Sequence, residues 1–160
     1  GGFVKNCLDD QRLAVGLEGN DYNQKNKRAE WAAIPDYLFT CDITKPFTLN
    51  AGNKIPYSFG IVTAWEVLEH ILKEDLPSLF ANIYRHLSPD GLLIVSVTNF
   101  PSPNPNYAMI DMHRTLQDLT WCLDQFNAHG FVRDEPIEQY FGKDWVRNER
   151  NSYHLALRKK

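Results

Sequence analysis

Short apolar runs that stop abruptly at polar residues, separated by stretches of helix-forming sequence, constrain this chain more than any other feature. The clearest run is Leu92-Leu93-Ile94-Val95-Ser96-Val97, which gives way to Asn99. Apolar residues at consecutive rather than alternate positions fit a strand covered on both faces. Leu13–Leu17 stops at Glu18-Gly19-Asn20, Tyr37–Cys41 stops at Asp42, and Phe59–Ala64 stops near Trp65-Glu66. Between the runs lie helical patterns: Asp21–Ala33; Leu76–Leu87, with Asp75 as N-cap and Pro77 in the first turn; and Leu116–Ala128, with Thr115 and Asp118 as a capping pair and Gly130 as its stop. Parallel strands need crossovers, and crossovers of this length are usually helical, so the alternation predicts an α/β fold with a mostly parallel sheet.

After Gly130 the pattern changes. Phe131–Glu135 and Tyr153–Leu157 read as strands joined by a polar segment that carries Gly142, Trp145 and Asn148 and shows no helix signal. They are expected to form an antiparallel pair at the end of the sheet. Pro101-Ser102-Pro103-Asn104-Pro105 is a loop, because its prolines remove donors and fix the backbone.

Composition sets the remaining bounds. A chain of 160 residues with 43% hydrophobic and 23% charged residues can bury one core, and no repeat or boundary divides it, so residues 1–160 read as a single domain. A net charge of −3 offers no surplus of positive charge for phosphates, which argues against nucleic acid as a partner. The longest apolar runs are far too short to span a membrane. Cys7, Cys41 and Cys122 are odd in number and lie in or beside apolar runs, which reads as reduced core thiols and a cytoplasmic protein.

In open parallel sheets ligands sit outside the carboxyl ends of the strands. Glu18 there has the chemistry to accept both hydroxyls of a ribose, and the same carboxylate also fits a plain loop position. Asp42 beside Ile43 suits an adenine amino group and ring face, or alternatively a turn. Trp65-Glu66-Val67-Leu68-Glu69-His70 puts an aromatic, two carboxylates and an imidazole at the rim after the third run. Glu66 and His70, four apart, would share a face on one helical turn; two ligands close no metal site, and no metal is expected. Gly1-Gly2 precedes a helix-like Phe3–Asp9, where glycine lets backbone approach a ligand.

The order of these elements, and above all the segments "EVLEHI" (Glu66–Ile71) and "LSPDGLLIVSV" (Leu87–Val97), resembles the class I S-adenosylmethionine-dependent methyltransferases over nearly the whole chain. The resemblance implies a Rossmann-like sheet with an antiparallel C-terminal strand pair. It implies S-adenosyl-L-methionine as cofactor, with Glu18 and Gly19 at the ribose, Asp42 and Ile43 at the adenine, and Ala64, Trp65, Glu66 and His70 at the methionyl part. Gly1 or Gly2 would be the last glycine of the family's glycine-rich loop. The family's first strand, which lies between the strands ending at Glu18 and at Ala64, and the start of that loop would then be missing. Such an N-terminally truncated sheet exposes two strand edges, unless the remaining strands close up, and these would be covered by further chain or by a second copy in a homodimer.

A small-molecule acceptor is expected, held by Tyr107, Met109, Met112, His113 and Trp145, with His70 and His113 as candidate bases. Methyl transfer from a sulfonium needs alignment first and a base only for some acceptors. Two alternatives stay open: a methyltransferase-like fragment that has lost its cofactor and acts as a partner-binding module, and a nicotinamide-dependent dehydrogenase, which shares the acidic ribose contact.

Overall fold

The computed structural model describes residues 1–52, 55–99, 113–142 and 152–160. The chain divides into two compact units, Gly1–Lys45 and Pro46–Lys160.

The first unit starts with α1 (Gly2–Asp9), close to the helix read from Phe3–Asp9. Strands β1 (Gly16–Glu18) and β2 (Leu38–Thr40) pair in parallel, Gly16 opposite Leu38 and Glu18 opposite Thr40. The stretch expected as one helix over Asp21–Ala33 is two: α2 (Tyr22–Lys25) and α3 (Glu30–Ala33). Lys27 and Ala29 between them take φ +47°, a left-handed conformation that no continuous helix contains. Val4, Trp31 and Leu38 form the core of the unit, with Leu8, Ala14 and Ile34 packed against it. Gly16 is where this core needs a glycine: a Cβ there would stand 2.9 Å from the Leu38 side chain and 3.1 Å from that of Val4.

The second unit carries a four-stranded sheet in the order β3 (Phe59–Trp65), β4 (Leu87–Thr98), β6 (Ser152–Lys159), β5 (Phe131–Arg133). β3 and β4 run parallel; β6 is antiparallel to both β4 and β5, as expected for the closing pair. β4 is buried at each position from Leu93 to Thr98, in keeping with its unbroken apolar run. Phe59 faces Leu87 while Ile61 faces Leu92, so residues 88–91 bulge from the ladder, which is where Pro89 is tolerated. Phe80 of α4 (Leu76–His86), Phe126 of α5 (Leu119–Ala128) and Phe131 meet at ring-centroid separations of 5.0–6.5 Å and fill the core.

Three local readings need correction. Asp118 alone caps α5, accepting from the Trp121 amide at 2.8 Å; Thr115 lies outside the helix, and its hydroxyl donates to the Ile71 carbonyl at 2.6 Å. The segment after β5 does hold a helix, α6 (Glu135–Phe141), capped by Asp134 and opened by proline in its first turn. Of the three thiols only Cys122 is buried, whereas Cys7 and Cys41 are half-buried; all three are free. Among the described residues β3 pairs on one side only, and β1 and β2 form a sheet of their own. No helix among the described residues is long and apolar enough to cross a membrane.

Candidate active site

In the first unit the parallel register carries Glu18 and Asp42 out at the carboxyl ends of neighbouring strands, and the Cys41 amide donates to the Glu18 carbonyl at 2.9 Å. The break between α2 and α3 then turns two donors onto one carboxylate. Asn23 Nδ2 donates to Glu18 Oε1 and Trp31 Nε1 donates to Oε2, each at 2.7 Å. Glu18, Asn23 and Trp31, together with Gly1, line a cleft of about 310 Å³. That is the lower end of the range for small-ligand pockets and suits a nucleoside better than a larger molecule. Gly1 belongs to this wall because a Cβ there would come 2.7 Å from the Glu30 Cβ, whereas a Cβ on Gly19 would meet nothing within 4 Å. Gly2 opens α1. Asp42 is exposed and accepts from Thr44 twice, from the amide at 3.0 Å and from the hydroxyl at 2.6 Å; these bonds hold its carboxyl below the usual range. Ile43 beside it is half-buried.

In the second unit the rim after β3 is built by an unusual backbone. Ala64 is buried, while Trp65 is exposed with its ring edge-on to His154 at 6.2 Å. Glu66 takes φ +51°, turning the chain sharply so that its amide meets both the carbonyl and the hydroxyl of Ser96, at 3.1 and 2.9 Å. Its carboxylate accepts from the Thr98 hydroxyl. Burial works against the Glu66 charge, but the Thr98 and Ser96 hydrogen bonds outweigh it and leave the carboxyl below its ordinary range.

Because of this turn Glu66 and His70 do not share a helical face. A 3-10 turn covers only Leu68–His70, and it brings Glu69 and His70 into the rim instead. Glu69 is fully buried. Its Oε1 accepts from the Thr98 amide at 3.2 Å; its Oε2 receives no donor among the described residues, and the Glu69 and Glu66 carboxyls are within hydrogen-bonding reach of each other. Burial, reinforced by the nearby Glu66 charge, pushes the Glu69 carboxyl up to about 7. One carboxylate pair thus splits into an ionised member and one that holds its proton near neutrality.

The chain returns to this turn from far along the sequence. Arg114 and Thr115 amides donate to the Glu69 carbonyl at 2.5 and 3.0 Å, beside the Thr115–Ile71 bond. These bonds fix His113 next to His70, their rings 5.0 Å apart, and one ligand atom from each of Glu69, His70 and His113 falls within 4.8 Å of the others. Of the residues expected to hold an acceptor, His113 is therefore placed, and Tyr107, Met109, Met112 and Trp145 lie outside the described residues, as does the loop from Pro101 to Pro105. Glu69 stands in the sequence as one of the two rim carboxylates, but burial, not position in a motif, is what distinguishes it from Glu66. Only the consecutive pair Glu69-His70 was visible in the sequence.

The chain belongs to the methyltransferase-domain family, whose model matches residues 5–143. Among solved structures, a protein of Pyrococcus horikoshii is 16% identical with TM-score 0.65, over 100% of this chain and 77% of its own length. Mitomycin 7-O-methyltransferase is 12% identical with TM-score 0.62, over 99% of this chain but 46% of its own length. An O-methyltransferase of neocarzinostatin biosynthesis, in complex with S-adenosyl-L-homocysteine and 1,4-dihydroxy-2-naphthoic acid, is 9% identical with TM-score 0.62, over 100% of this chain and 46% of its own length. This chain thus spans less than half of the two O-methyltransferases. No match was found among curated proteins. The Rossmann-like α/β fold expected from the sequence is the fold of these structures.

Proposed function

We propose that this chain binds S-adenosyl-L-methionine and transfers its methyl group to a small-molecule acceptor. The observation that carries the reading is the Glu18 cleft: a strand-end carboxylate, oriented by Asn23 and Trp31, beside a glycine wall of nucleoside size. Each Glu18 oxygen accepts one bond from the protein and keeps acceptor capacity for a ribose hydroxyl. In this reading Glu18 and Gly19 meet the ribose, Gly1 and Gly2 approach the cofactor by backbone, and Asp42 and Ile43 serve the adenine. Ala64, Trp65, Glu66 and His70 line the methionyl part, and His113 stands with Tyr107, Met109, Met112 and Trp145 on the acceptor side.

The cofactor supplies a methyl group on a positive sulfonium, whose departure leaves a neutral thioether. The protein's part is to hold the acceptor atom in line with that bond, which can lower the barrier by several kcal/mol without covalent catalysis. A strand from further chain, or from a second copy in a homodimer, would pair the edge of β3 that has no partner strand among the described residues.

The test is isothermal titration with S-adenosyl-L-homocysteine, on the wild type and on Glu18→Gln. Saturable one-to-one binding, weakened about tenfold or more in the variant, is the expected result, since a hydrogen bond to a charged group contributes about 1.5–3 kcal/mol. A second reading, a module without cofactor, draws on the same residue: both Glu18 oxygens already serve the unit's own packing. A folded wild type that takes up no ligand would favour that module.

A further inference from the structure

We infer that Glu69, His70 and His113 form a binding site for a divalent transition-metal ion. The inference stands on the geometry of the second unit and does not depend on methyl transfer. Two imidazoles and one carboxylate present ligand atoms within 4.8 Å of one another, close enough for small side-chain rotations to bring all three to the roughly 2 Å bonds of one ion. A second observation points the same way. Glu69 is fully buried and its Oε2 receives no donor among the described residues; its carboxyl meets that of Glu66, and two carboxylates side by side need a proton or a cation between them.

The backbone makes the site a built one. His113 is 43 positions from His70 in the numbering. It is nevertheless fixed there by the amides of Arg114 and Thr115 on the Glu69 carbonyl and by the Thr115 hydroxyl on the Ile71 carbonyl. The ligands therefore come from two segments clamped together by three hydrogen bonds, and ion binding would not have to order them.

Donor chemistry selects the ion. Two nitrogen ligands and one oxygen suit borderline ions such as zinc, cobalt or nickel better than magnesium or calcium, which prefer oxygen throughout. Three protein ligands leave a coordination position over. His70 is the exposed member of the set, so the site opens to solvent on its side and that position can take water or an oxygen of a small ligand.

Cobalt(II) titrated into chelator-treated protein tests the site, because its visible absorption reports coordination directly. One equivalent should bind with a saturable spectral change, and zinc should displace it. His70→Ala and His113→Ala should each weaken binding about tenfold or more, with circular dichroism unchanged. His70 is exposed, so its variant decides the matter if the other does not fold. No saturable change in the wild type, or a change that the folded His70→Ala variant retains undiminished, overturns the assignment.

Discussion

Replacing Glu69 by glutamine should remove a pH dependence of stability that wild type displays between weakly acid and neutral conditions. The carboxyl is fully buried beside ionised Glu66, and its affinity for a proton is raised from the ordinary 4.5 to about 7. Between those values the folded chain keeps a proton that the unfolded chain has lost. Stability therefore falls as pH rises from about 4.5 through about 7, then levels off. At about 1.4 kcal/mol per tenfold change in proton affinity, the loss is on the order of 3 kcal/mol, a large share of a small domain's stability.

Glutamine keeps the shape and an oxygen for the Thr98 amide, carries no charge and does not titrate. Urea unfolding of both proteins at pH 5 and pH 8, with a chelator present, isolates the effect as a difference of differences, so that histidines common to both cancel. Because part of the effect is already spent at pH 5, the expected result is a wild type that loses roughly 2–3 kcal/mol more than Glu69→Gln over that interval. Parallel behaviour of the two proteins would show that Glu69 is ionised without penalty, and the account of the buried carboxyl would fail.

Other perturbations probe the frame that holds the sites. Gly130 has φ +87° and a Cβ there would stand 3.0 Å from the Tyr84 ring, so Gly130→Ala should cost about 1–3 kcal/mol in urea unfolding. Asp118→Ala removes the cap of α5 and should cost about 1 kcal/mol, read as a lowered melting temperature. Glu138 accepts from Arg133 through both oxygens and also from the Ala156 amide at 3.0 Å, tying α6 to β5 and β6; Glu138→Ala should lower stability by about 1–3 kcal/mol by the same measurement.

The sheet was legible where burial was two-sided. Residues 92–97 are apolar at nearly every position because β4 is covered on both faces, and the strand ends at Glu18 and near Glu66 agree with the polar stops. Helix ends were less legible, since α2 and α3 are separated by left-handed residues that no glycine announces. The signal for α6 is present in Asp134-Glu135-Pro136, an N-cap followed by proline in the first turn, but the polar stretch downstream of Phe141 masks it. The ligand cluster was legible only in half. Glu69-His70 stands in the sequence, but His113 reaches it through backbone hydrogen bonds that no spacing encodes, and the burial that sets Glu69 apart from Glu66 exists only in the fold.

The most direct measurement of the cofactor reading is the indole N–H resonance of Trp31, whose hydrogen bond to Glu18 makes it a reporter at the ribose contact. Titrating S-adenosyl-L-homocysteine into nitrogen-15-labelled protein should shift that resonance saturably, and adenosine alone should move it in the same direction. An indole signal that stays put while the ligand binds elsewhere, or throughout a titration in which nothing binds, would contradict the assignment of Glu18.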